Sequence, residues 1–400
     1  MTPIPFLRVL ACPFLAIGML GAGAAQAAEP GDGPVRLKGR LLVDSINLDI
    51  SRPGLPDEPA GGIQVRQAYL GLDADLTERL SLRFEGGAAN NDALIWDEVA
   101  LEYRPAPGVA LMAGNLKAAG LENLTSTKSL SFLERGPYGD LITDGFTSAV
   151  QVRANVQDLT ATLAFQGDSF NNLGLDFDGP ASPGALEQRA VTARVAGGVP
   201  LGGNKHLHLG AWVRGRSFDG DFPHAYSFQP AGSQGVDGPW LDTGPLARSD
   251  GTLAVEAAWW SGSFWVQGEA ALLRPDPSPQ ARDPSPPDLK AGYILVGWNP
   301  QGEVRGYDAR RALVVAPGPG SIDLLARYDF ADVPALPMVT TVPSDSPAVA
   351  RVRGMTFGAV WRVQTGYRLL LNLGEMRFDP GWPGTKARVR SLQIRAQYDF

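Results

Sequence analysis

The chain has 400 residues, 35 of them basic and 42 acidic, and this net charge of -7, without a basic and aromatic-rich patch, disfavours nucleic-acid binding. Mean hydropathy is -0.08, and after the N-terminal segment no apolar run approaches the roughly 18 residues of a transmembrane helix. The single cysteine, Cys12, lies in that N-terminal segment, so the rest of the chain forms no disulfide and no thiolate metal site.

The N-terminal segment has the pattern of a secretory signal peptide. Arg8 precedes an apolar run over residues 9–25, and small residues form a cleavage site that ends at Ala27. We therefore expect residues 1–27 to be removed on export, which leaves residues 28–400 as a single domain. A permanent membrane anchor is disfavoured because the apolar run is shorter than a span of ~20 residues.

Alternation of apolar and polar residues begins soon after the predicted cleavage site. Basic residues share one face of the first candidate strand, residues 36–41, and a Pro/Gly loop is predicted over residues 49–62. A polar turn joins the next two candidate strands, residues 63–73 and 80–86. In the latter strand, three apolar side chains on one face alternate with three polar ones on the other: Leu80, Leu82 and Phe84 against Ser81, Arg83 and Glu85.

The alternation fails over residues 115–147, which predicts a long loop. Loops of this length without periodicity are usually functional or disordered. This segment mixes charged and apolar side chains, and its apolar content predicts a packed loop rather than a disordered one. The residues concerned are Lys117, Glu122, Lys128, Glu134 and Arg135 together with Leu121, Leu124, Leu130, Phe132 and Leu133.

The same alternation resumes after the loop and continues to Phe400. Polar residues 218–250 and Pro-rich residues 274–288 are predicted to be exposed connections, because proline cannot donate to a strand ladder. Candidate strands with one apolar and one polar face cover residues 150–155, 159–166, 191–195, 206–214, 253–260, 322–330, 355–361, 367–373 and 392–400.

This pattern predicts an all-β protein, a closed antiparallel transmembrane β-barrel. No helical layer is available to cover the apolar faces, so lipid is their simplest cover. A sheet in hydrocarbon must close, and outer-membrane barrels place apolar side chains outside and polar ones inside. With about 20 to 25 residues for each strand and connection, the chain supplies about 16 strands. The alternative is an exported soluble β-sandwich or propeller that binds or cleaves polysaccharide with two carboxylates.

Little in the sequence indicates enzymatic chemistry or metal binding. Asp97 and Glu98 are adjacent, and adjacent strand residues point to opposite faces, so we expect that they cannot both face one substrate. His206 and His208 share a strand face but lack a third ligand nearby. The sequence contains no Gly-rich phosphate loop, nucleophile elbow or His-Glu-x-x-His stretch. We therefore predict neither an enzyme nor a cofactor.

Several short segments resemble the family of phosphate-selective porins O and P. The resemblance implies a homotrimeric, 16-stranded porin of the bacterial outer membrane, whose third loop folds inward and narrows the channel. It also implies passive diffusion of small solutes and ions, with a preference for phosphate or other anions. The terminal strand ending in Phe400 resembles the signal read by the outer-membrane insertion machinery. The matching segments are residues 110–117, 120–128, 132–135, 292–298, 302–307 and 322–328.

Six basic residues are candidates for the pore. Four follow from the resemblance, in or beside the third loop and on an early strand: Lys117, Lys128, Arg135 and Arg66. Gln67 occupies the position where the family has a second arginine after the one matched by Arg66. Strand faces add Arg83 and Arg153 to the predicted lumen wall, where basic residues are usually paired with Asp or Glu.

Overall fold

The computed structural model describes residues 34–51, 58–89, 93–171, 188–219, 223–230, 241–281, 283–335, 348–379 and 386–400. The predicted signal peptide, residues 1–27, lies outside the described residues. None of the helices in the described ranges has the length and apolar character needed to cross a membrane.

Sixteen antiparallel strands close into one barrel, which confirms the predicted fold class. In chain order the elements are β1 (Val35–Ser51), β2 (Glu58–Asp75), β3 (Leu80–Ala89), β4 (Ala93–Ala106), β5 (Val109–Leu116), α1 (Leu121–Leu124), a 3-10 turn (Thr127–Ser129), α2 (Gly136–Ile142), β6 (Thr147–Val156), β7 (Leu159–Gln166), β8 (Gln188–Gly202), β9 (Lys205–Phe218), β10 (Ser227–Phe228), β11 (Leu241–Asp242), β12 (Ala247–Ser261), β13 (Phe264–Pro277), β14 (Leu289–Trp298), β15 (Gly306–Asp308), β16 (Leu313–Val315), β17 (Ile322–Ala335), β18 (Ala348–Gln364), β19 (Tyr367–Asp379) and β20 (Ala387–Asp399). The pairs β10–β11 and β15–β16 form separate hairpins, and all other strands belong to the barrel. β20 closes the barrel against β1, where Arg40 lies opposite Asp399.

Apolar side chains cover the outside of the barrel. On β7, Leu159, Leu163 and Phe165 are 57%, 41% and 58% exposed, whereas Thr160 and Thr162 on the inner face are buried. A second packed layer would bury the outer side chains, so the sandwich or propeller alternative is wrong. Exposed apolar side chains around a closed sheet are what a lipid bilayer covers.

At the end of the barrel that carries the long connections, the two faces exchange character. On β1, Ile46 and Leu48 are buried inside the barrel, and the alternating residues Ser45 and Asn47 point outward. We call this end the rim. Its outer face is polar because it rises above the lipid, and its inner face is apolar because connecting segments pack against it. Other residues of the same apolar cluster are Leu273, Leu289, Val333, Val352, Phe378, Val389, Phe228 and Leu241.

The predicted loop over residues 49–62 is wrong in its extent. β1 and β2 continue to pair at both ends of this range, with Ile50 opposite Glu58. Gly61 has a φ of 147°, and a Cβ there would lie 2.1 Å from the Ile46 carbonyl oxygen. The strand pair therefore needs a glycine at this close approach, so a residue type that usually marks loops is part of a strand here.

The connections differ in length between the two ends of the barrel. Apart from residues 299–321, short turns join the strands at one end and mostly longer segments join them at the other, as at the periplasmic and extracellular ends of outer-membrane barrels. The predicted connections over residues 218–250 and 274–288 lie at the extracellular end. They are found as residues 219–246 and 278–288, because β12 begins earlier and β13 ends later than predicted.

Two segments enter the barrel from opposite ends. The third loop, residues 117–146, contains α1 and α2 and matches the predicted loop. The inserted hairpin, residues 299–321, contains β15 and β16 and enters from the short-turn end. Thr160 Oγ1 on the inner wall donates to the Ala309 carbonyl oxygen at 3.0 Å. The two segments meet inside the barrel, where the Arg311 side chain donates to the Leu124 carbonyl oxygen at 3.4 Å.

Candidate functional site

Arg327 on β17 fixes the middle of the third loop. Its buried guanidinium pairs with Glu122 of α1 at 2.5 Å and with Asp329 at 2.8 Å. It also donates a hydrogen bond to the Arg135 carbonyl oxygen. Gly136, the first residue of α2, has a φ of 66°, and a Cβ there would lie 2.6 Å from Asp329 Oδ1. The loop backbone thus runs directly against this ion pair.

Two more wall arginines hold the part of the loop between α1 and α2. Arg368 on β19 donates to the Lys128 carbonyl oxygen. Arg395 on β20 donates to the Leu133 carbonyl oxygen at 3.0 Å and pairs with Asp44 of β1 at 2.6 Å. These two guanidiniums are buried and bonded to the loop backbone. They therefore position the loop and do not contact solutes in the lumen.

Glu269 on β13 holds the start of α1. Its carboxylate accepts hydrogen bonds from the backbone N–H groups of Leu121 and Glu122, both at 2.8 Å. These N–H groups have no partner within the helix, so a carboxylate satisfies them. The hydroxyls of Tyr138 and Tyr293 donate to the same carboxylate at 3.3 and 2.8 Å. Glu269 therefore connects α1, α2 and the barrel wall.

The loop leaves the lumen through a second ionic cluster. Arg214 and Arg216 on β9 each pair with Asp144 at 2.7 Å, and Arg214 also donates to the Ile142 carbonyl oxygen at 2.9 Å. Burial raises the pKa of Asp144, but the two guanidiniums outweigh this effect and hold the pKa below its usual value. We call this side of the lumen, facing β9, β12–β14 and β17–β20, the filled side.

Two cations of the third loop border the open side of the lumen, which faces β1–β8. Lys117 Nζ lies 4.5 Å from the centroid of the Phe146 ring. Arg135 donates to the carbonyl oxygens of Glu122 and Thr125 at 3.3 and 2.8 Å, and no carboxylate of the described residues pairs with it. Lys117 lines one cavity above the loop and one below it. We call these cavities together the passage, and the position of Lys117 between them the crossing.

The pKa values of groups around this crossing are shifted toward neutral pH. Burial, and then the nearby charge of Arg135, lowers the pKa of Lys117 to about 7, against the opposing effect of Asp97. Burial also lowers the pKa of Arg135. Enclosure within the barrel, and then Glu134, raises the pKa of Asp140 to about 7. The charge at the crossing therefore depends on pH between about 6 and 8.

Below the third loop the passage continues as a narrow cavity of about 90 Å³. Arg40 crosses one side of it and pairs with Glu85 at 2.5 Å and with Asp97 at 3.5 Å. Positive side chains outnumber negative ones in the lining of this cavity. Six are cationic and three anionic: Arg40, Arg83, Lys117, Arg153, Arg194 and Arg311 against Glu85, Asp97 and Glu98.

The expectation that Asp97 and Glu98 point to opposite faces is wrong, because both line this cavity. The register between β3 and β4 shifts here, so that the two residues together oppose Glu85. A β-bulge of this kind re-aims a side chain. Asp97 reaches Arg40 at 3.5 Å and Glu98 reaches Arg83 at 2.9 Å, so each carboxylate is paired with a cation.

Toward the periplasmic end the passage widens into a vestibule of about 790 Å³, which the inserted hairpin borders through Arg310 and Arg311. Asn155 donates to the Arg310 carbonyl oxygen at 2.9 Å. Arg194 donates to the carbonyl oxygens of Arg311 and Ala312 at 3.1 and 3.0 Å. Wall side chains thus hold the hairpin by its backbone, as they hold the third loop.

The structure brings the predicted pore residues together in pairs. Lys117 and Arg135 line a common cavity above the third loop. Arg83 and Arg153 lie in the vestibule, where they share Glu102 at 2.8 and 3.6 Å. The prediction that wall arginines are paired with carboxylates is thus confirmed for Arg83 and Arg153.

The other two predicted residues lie away from Lys117. Arg66 lines a third cavity, of about 290 Å³, together with Arg135, and contacts Glu134 at 3.4 Å. Lys128 lies in the 3-10 turn, and its carbonyl oxygen accepts hydrogen bonds from Arg368 and Gln397 on the filled side. The two residues therefore do not share the crossing with Lys117.

Sequence reasoning missed three cations of the narrow cavity: Arg40, Arg194 and Arg311. Arg40 lies on the basic face of the first predicted strand, and that face was a usable signal. The signal for Arg311 was the length of the connection over residues 299–321 at the end where other connections are short. Arg194 carries no local signal, because its contacts with the hairpin join distant parts of the chain.

The two histidines of β9 also serve the inserted hairpin. His208 Nδ1 and the Tyr307 hydroxyl lie 2.9 Å apart, and His208 Nε2 lies 3.4 Å from Glu256. The His206 ring stacks on Trp260, with ring centroids 4.6 Å apart. In the described part of the chain, no group of three or more His, Cys, Asp or Glu side chains is arranged to hold a metal ion.

Comparisons with known proteins agree with the barrel. The family model for phosphate-selective porin O and P matches residues 35–400. A loop L8 deletion mutant of OmpT, an outer membrane protein of Vibrio cholerae, is 13% identical, with 92% of this chain and 99% of that chain covered and a TM-score of 0.55. The high-pH structure of Pseudomonas putida OprB is 8% identical, with 91% and 94% covered and a TM-score of 0.57.

In-vitro folded OmpT in its trimer form is 12% identical, with 92% of this chain and 99% of that chain covered and a TM-score of 0.51. At these identities the solved structures share the fold with this chain. No curated protein matches the sequence.

Proposed function

Because the chain belongs to the phosphate-selective porin O and P family, we propose that this outer-membrane porin conducts small solutes passively and prefers anions, phosphate among them. The excess of cationic over anionic side chains in the narrow cavity below the third loop carries this proposal. The whole chain has a net charge of -7, so this cavity has the opposite sign to the protein. Pore selectivity follows the charges at the narrow part rather than net charge.

Lys117 and Arg135 are the proposed charges at the crossing. Among the described residues, neither forms an ion pair with a carboxylate, so their charges are less cancelled than those of the wall arginines. A dry, low-dielectric wall strengthens their attraction for an anion. From there an anion would enter the cavity lined by Arg40 and Arg311 and leave through the vestibule.

The remaining candidates have smaller proposed roles because their charges are paired or distant. Arg83 and Arg153 share Glu102, and Arg66 contacts Glu134. Lys128 is an exposed cation of the third loop outside the Lys117 crossing. We propose that these four residues bias the local potential without contacting each permeating anion.

Reversal potentials under a salt gradient test the proposal. We expect anion preference for the wild type, and for Lys117→Glu and Arg135→Glu a fall in the anion-to-cation permeability ratio of at least about threefold, because a charge is inverted at the crossing. Lys128→Glu makes the same change elsewhere on the loop and is the matched control, with a smaller expected effect. Cation preference of the wild type, or an equal shift for all three variants, would contradict the proposed site.

We further propose that residues 1–27 direct export, that the insertion machinery reads the terminal strand, and that three copies assemble. The alternation up to Phe400 and the trimer form of the similarly folded OmpT support these proposals. Sequencing of the mature N-terminus should begin at Ala28. Semi-native electrophoresis should show a trimer band that converts to monomer on heating, and a monomer band alone in unheated samples would contradict assembly.

A further inference from the structure

Three outward-facing arginines lie side by side on adjacent strands of the rim. Arg353 of β18 is directly opposite Arg377 of β19, which is directly opposite Arg388 of β20. Neighbouring strands are about 4.8 Å apart, and like charges directly opposite each other are destabilising. Anions beside such a row would therefore stabilise it.

The carboxylates around the row compensate it only in part. Glu375 contacts Arg377 and Arg390 at 2.7 and 3.0 Å, and Asp332 contacts Arg353 at 2.8 Å. Within the described ranges, no ion pair involves Arg351 or Arg388. We define the arginine cluster as Arg351, Arg353, Arg377, Arg388 and Arg390.

Counted over the same outer face, cations exceed anions. Lys386 adds a sixth cation and pairs with Asp379 at 3.0 Å. Among the described residues, four carboxylates share this face: Asp49, Asp332, Glu375 and Asp379. The described part of this face therefore carries more positive than negative side chains.

The cluster lies at the border of the lipid-facing surface. Directly below Arg353 on β18, the outward positions Met355, Phe357, Trp361 and Val363 are apolar and exposed. From Met355 to Val363 the strand rises about 27 Å, or about 20 Å along the membrane normal at a tilt near 40°. This is close to the height of the apolar band of outer-membrane barrels, so the next positions upward lie at the extracellular headgroup layer.

We propose that the arginine cluster binds the phosphate groups of phosphorylated lipids in the outer leaflet. A guanidinium presents paired N–H donors that match phosphate oxygens, and a row of three can hold one headgroup at several points. The apolar surface directly below receives the acyl chains of the same lipid. A partner that is anionic at this height and apolar just beneath it has the chemistry of a phosphorylated lipid.

Arginines elsewhere on the rim provide the contrast. Arg248 pairs with Asp276 at 2.8 Å, and Arg274 pairs with Asp288 at 3.1 Å. Each of these two arginines has its own carboxylate, so neither of them offers an uncompensated charge to a lipid phosphate. The two regions supply a test variant and a matched control on the same molecule.

Lipid binding to the purified full-length porin in detergent tests the proposal, with native mass spectrometry as the readout. The probes are a glycolipid carrying two phosphates, lipid A, and the same lipid after enzymatic removal of both phosphates. The triple variant Arg353→Gln/Arg377→Gln/Arg388→Gln should bind the phosphorylated lipid about 100-fold more weakly, since each basic residue near a membrane surface contributes severalfold. The double variant Arg248→Gln/Arg274→Gln should bind it as the wild type does.

Four outcomes would overturn the proposal. Equal binding by the triple variant and the wild type would remove the cluster from lipid recognition. Equal binding of the dephosphorylated lipid would show that acyl contacts alone are responsible, and competition by millimolar inorganic phosphate would indicate a site for the free ion. Loss of the trimer in the triple variant, with lipid binding intact, would assign the cluster to a second copy of the chain. Unchanged single-channel conductance shows that each variant is folded.

Discussion

The filled and open sides of the lumen use the same residue type in different ways. On the filled side, Arg327, Arg368 and Arg395 are buried and bonded to the backbone or carboxylates of the third loop. On the open side, Lys117 and Arg135 line a common cavity above the third loop, and Lys117 also lines the narrow cavity below it. Both sets lie inside one barrel, so a cation on a polar strand face does not by itself identify a solute contact. What distinguishes them is whether a segment of the chain has packed onto them.

The largest effect should come from removing the central clamp of the filled side. Arg327→Met leaves Glu122 and Asp329 buried without their cation, so we expect a loss of about 3 kcal/mol or more in unfolding free energy. The third loop should also detach, which raises single-channel conductance. Denaturant unfolding in detergent and planar-bilayer recordings measure the two effects. Arg310→Met, in the exposed vestibule, is the control, and an equal loss in that variant would contradict the clamp.

The open side should instead respond to pH. Lys117 is cationic below its pKa of about 7 and neutral above it, and Asp140 becomes anionic over the same interval. Both changes remove positive charge as pH rises, so anion preference should fall by about twofold from pH 6 to pH 8. Reversal potentials at the two pH values measure it.

Variants separate the two groups in that pH profile. Lys117→Gln should lower the anion preference at pH 6 and remove most of its dependence on pH. Asp140→Asn should keep the part of the pH dependence that comes from Lys117. A profile that is unchanged in Lys117→Gln would show that this lysine does not titrate at the crossing.

A smaller effect is expected where the inserted hairpin meets the open side. Thr160→Val keeps the side-chain shape but removes the hydrogen bond to the Ala309 carbonyl oxygen, which contributes about 1 kcal/mol, and the oxygen that accepts from Asn155 Nδ2 at 2.8 Å. Brief current fluctuations should become about fivefold more frequent as the hairpin loosens. Thr356→Val makes the same change on β18, away from the hairpin, and should leave the current trace unaltered. Quiet traces in both variants would mean that the hairpin does not depend on this bond.

The smallest effect is expected outside the lumen. Arg248 and Asp276 form an exposed pair at 2.8 Å, and pairs of this kind contribute little to stability. Arg248→Gln should therefore leave both the unfolding midpoint and the conductance within experimental error. A measurable change in either quantity would show that ion pairs on the rim contribute to stability or conductance, as those of the filled side do.

Much of the barrel could be predicted because its signal is local. Lipid on one face and water on the other impose a period of two, which sets the strands and their outward residues such as Leu163 and Phe165. The third loop was recognisable because the period failed there. Its cations Lys117 and Arg135 were recognisable by family resemblance, and no sequence feature distinguished them from Lys128.

The rest depends on contacts between distant residues. Arg327 and Glu122 are far apart in sequence, so nothing near either residue indicates that one clamps the other. The β-bulge that turns Asp97 and Glu98 to one side depends on the partner strand. The glycine at position 61 suggested a loop because its close approach to the Ile46 carbonyl oxygen exists only in the folded pair.

The apolar interior of the rim has a consequence for assembly in the cell. Its side chains lose contact with water only after the extracellular connections fold back onto them, and those connections must first cross the bilayer. In an insertion intermediate, the barrel strands would be paired while the extracellular connections are still unfolded. Such an intermediate would expose the apolar inner face of the rim to the cell exterior. Packing of these connections onto the rim is therefore the assembly step at which aggregation is most favoured. A dye that fluoresces on hydrophobic surfaces would detect the exposed apolar face before this step.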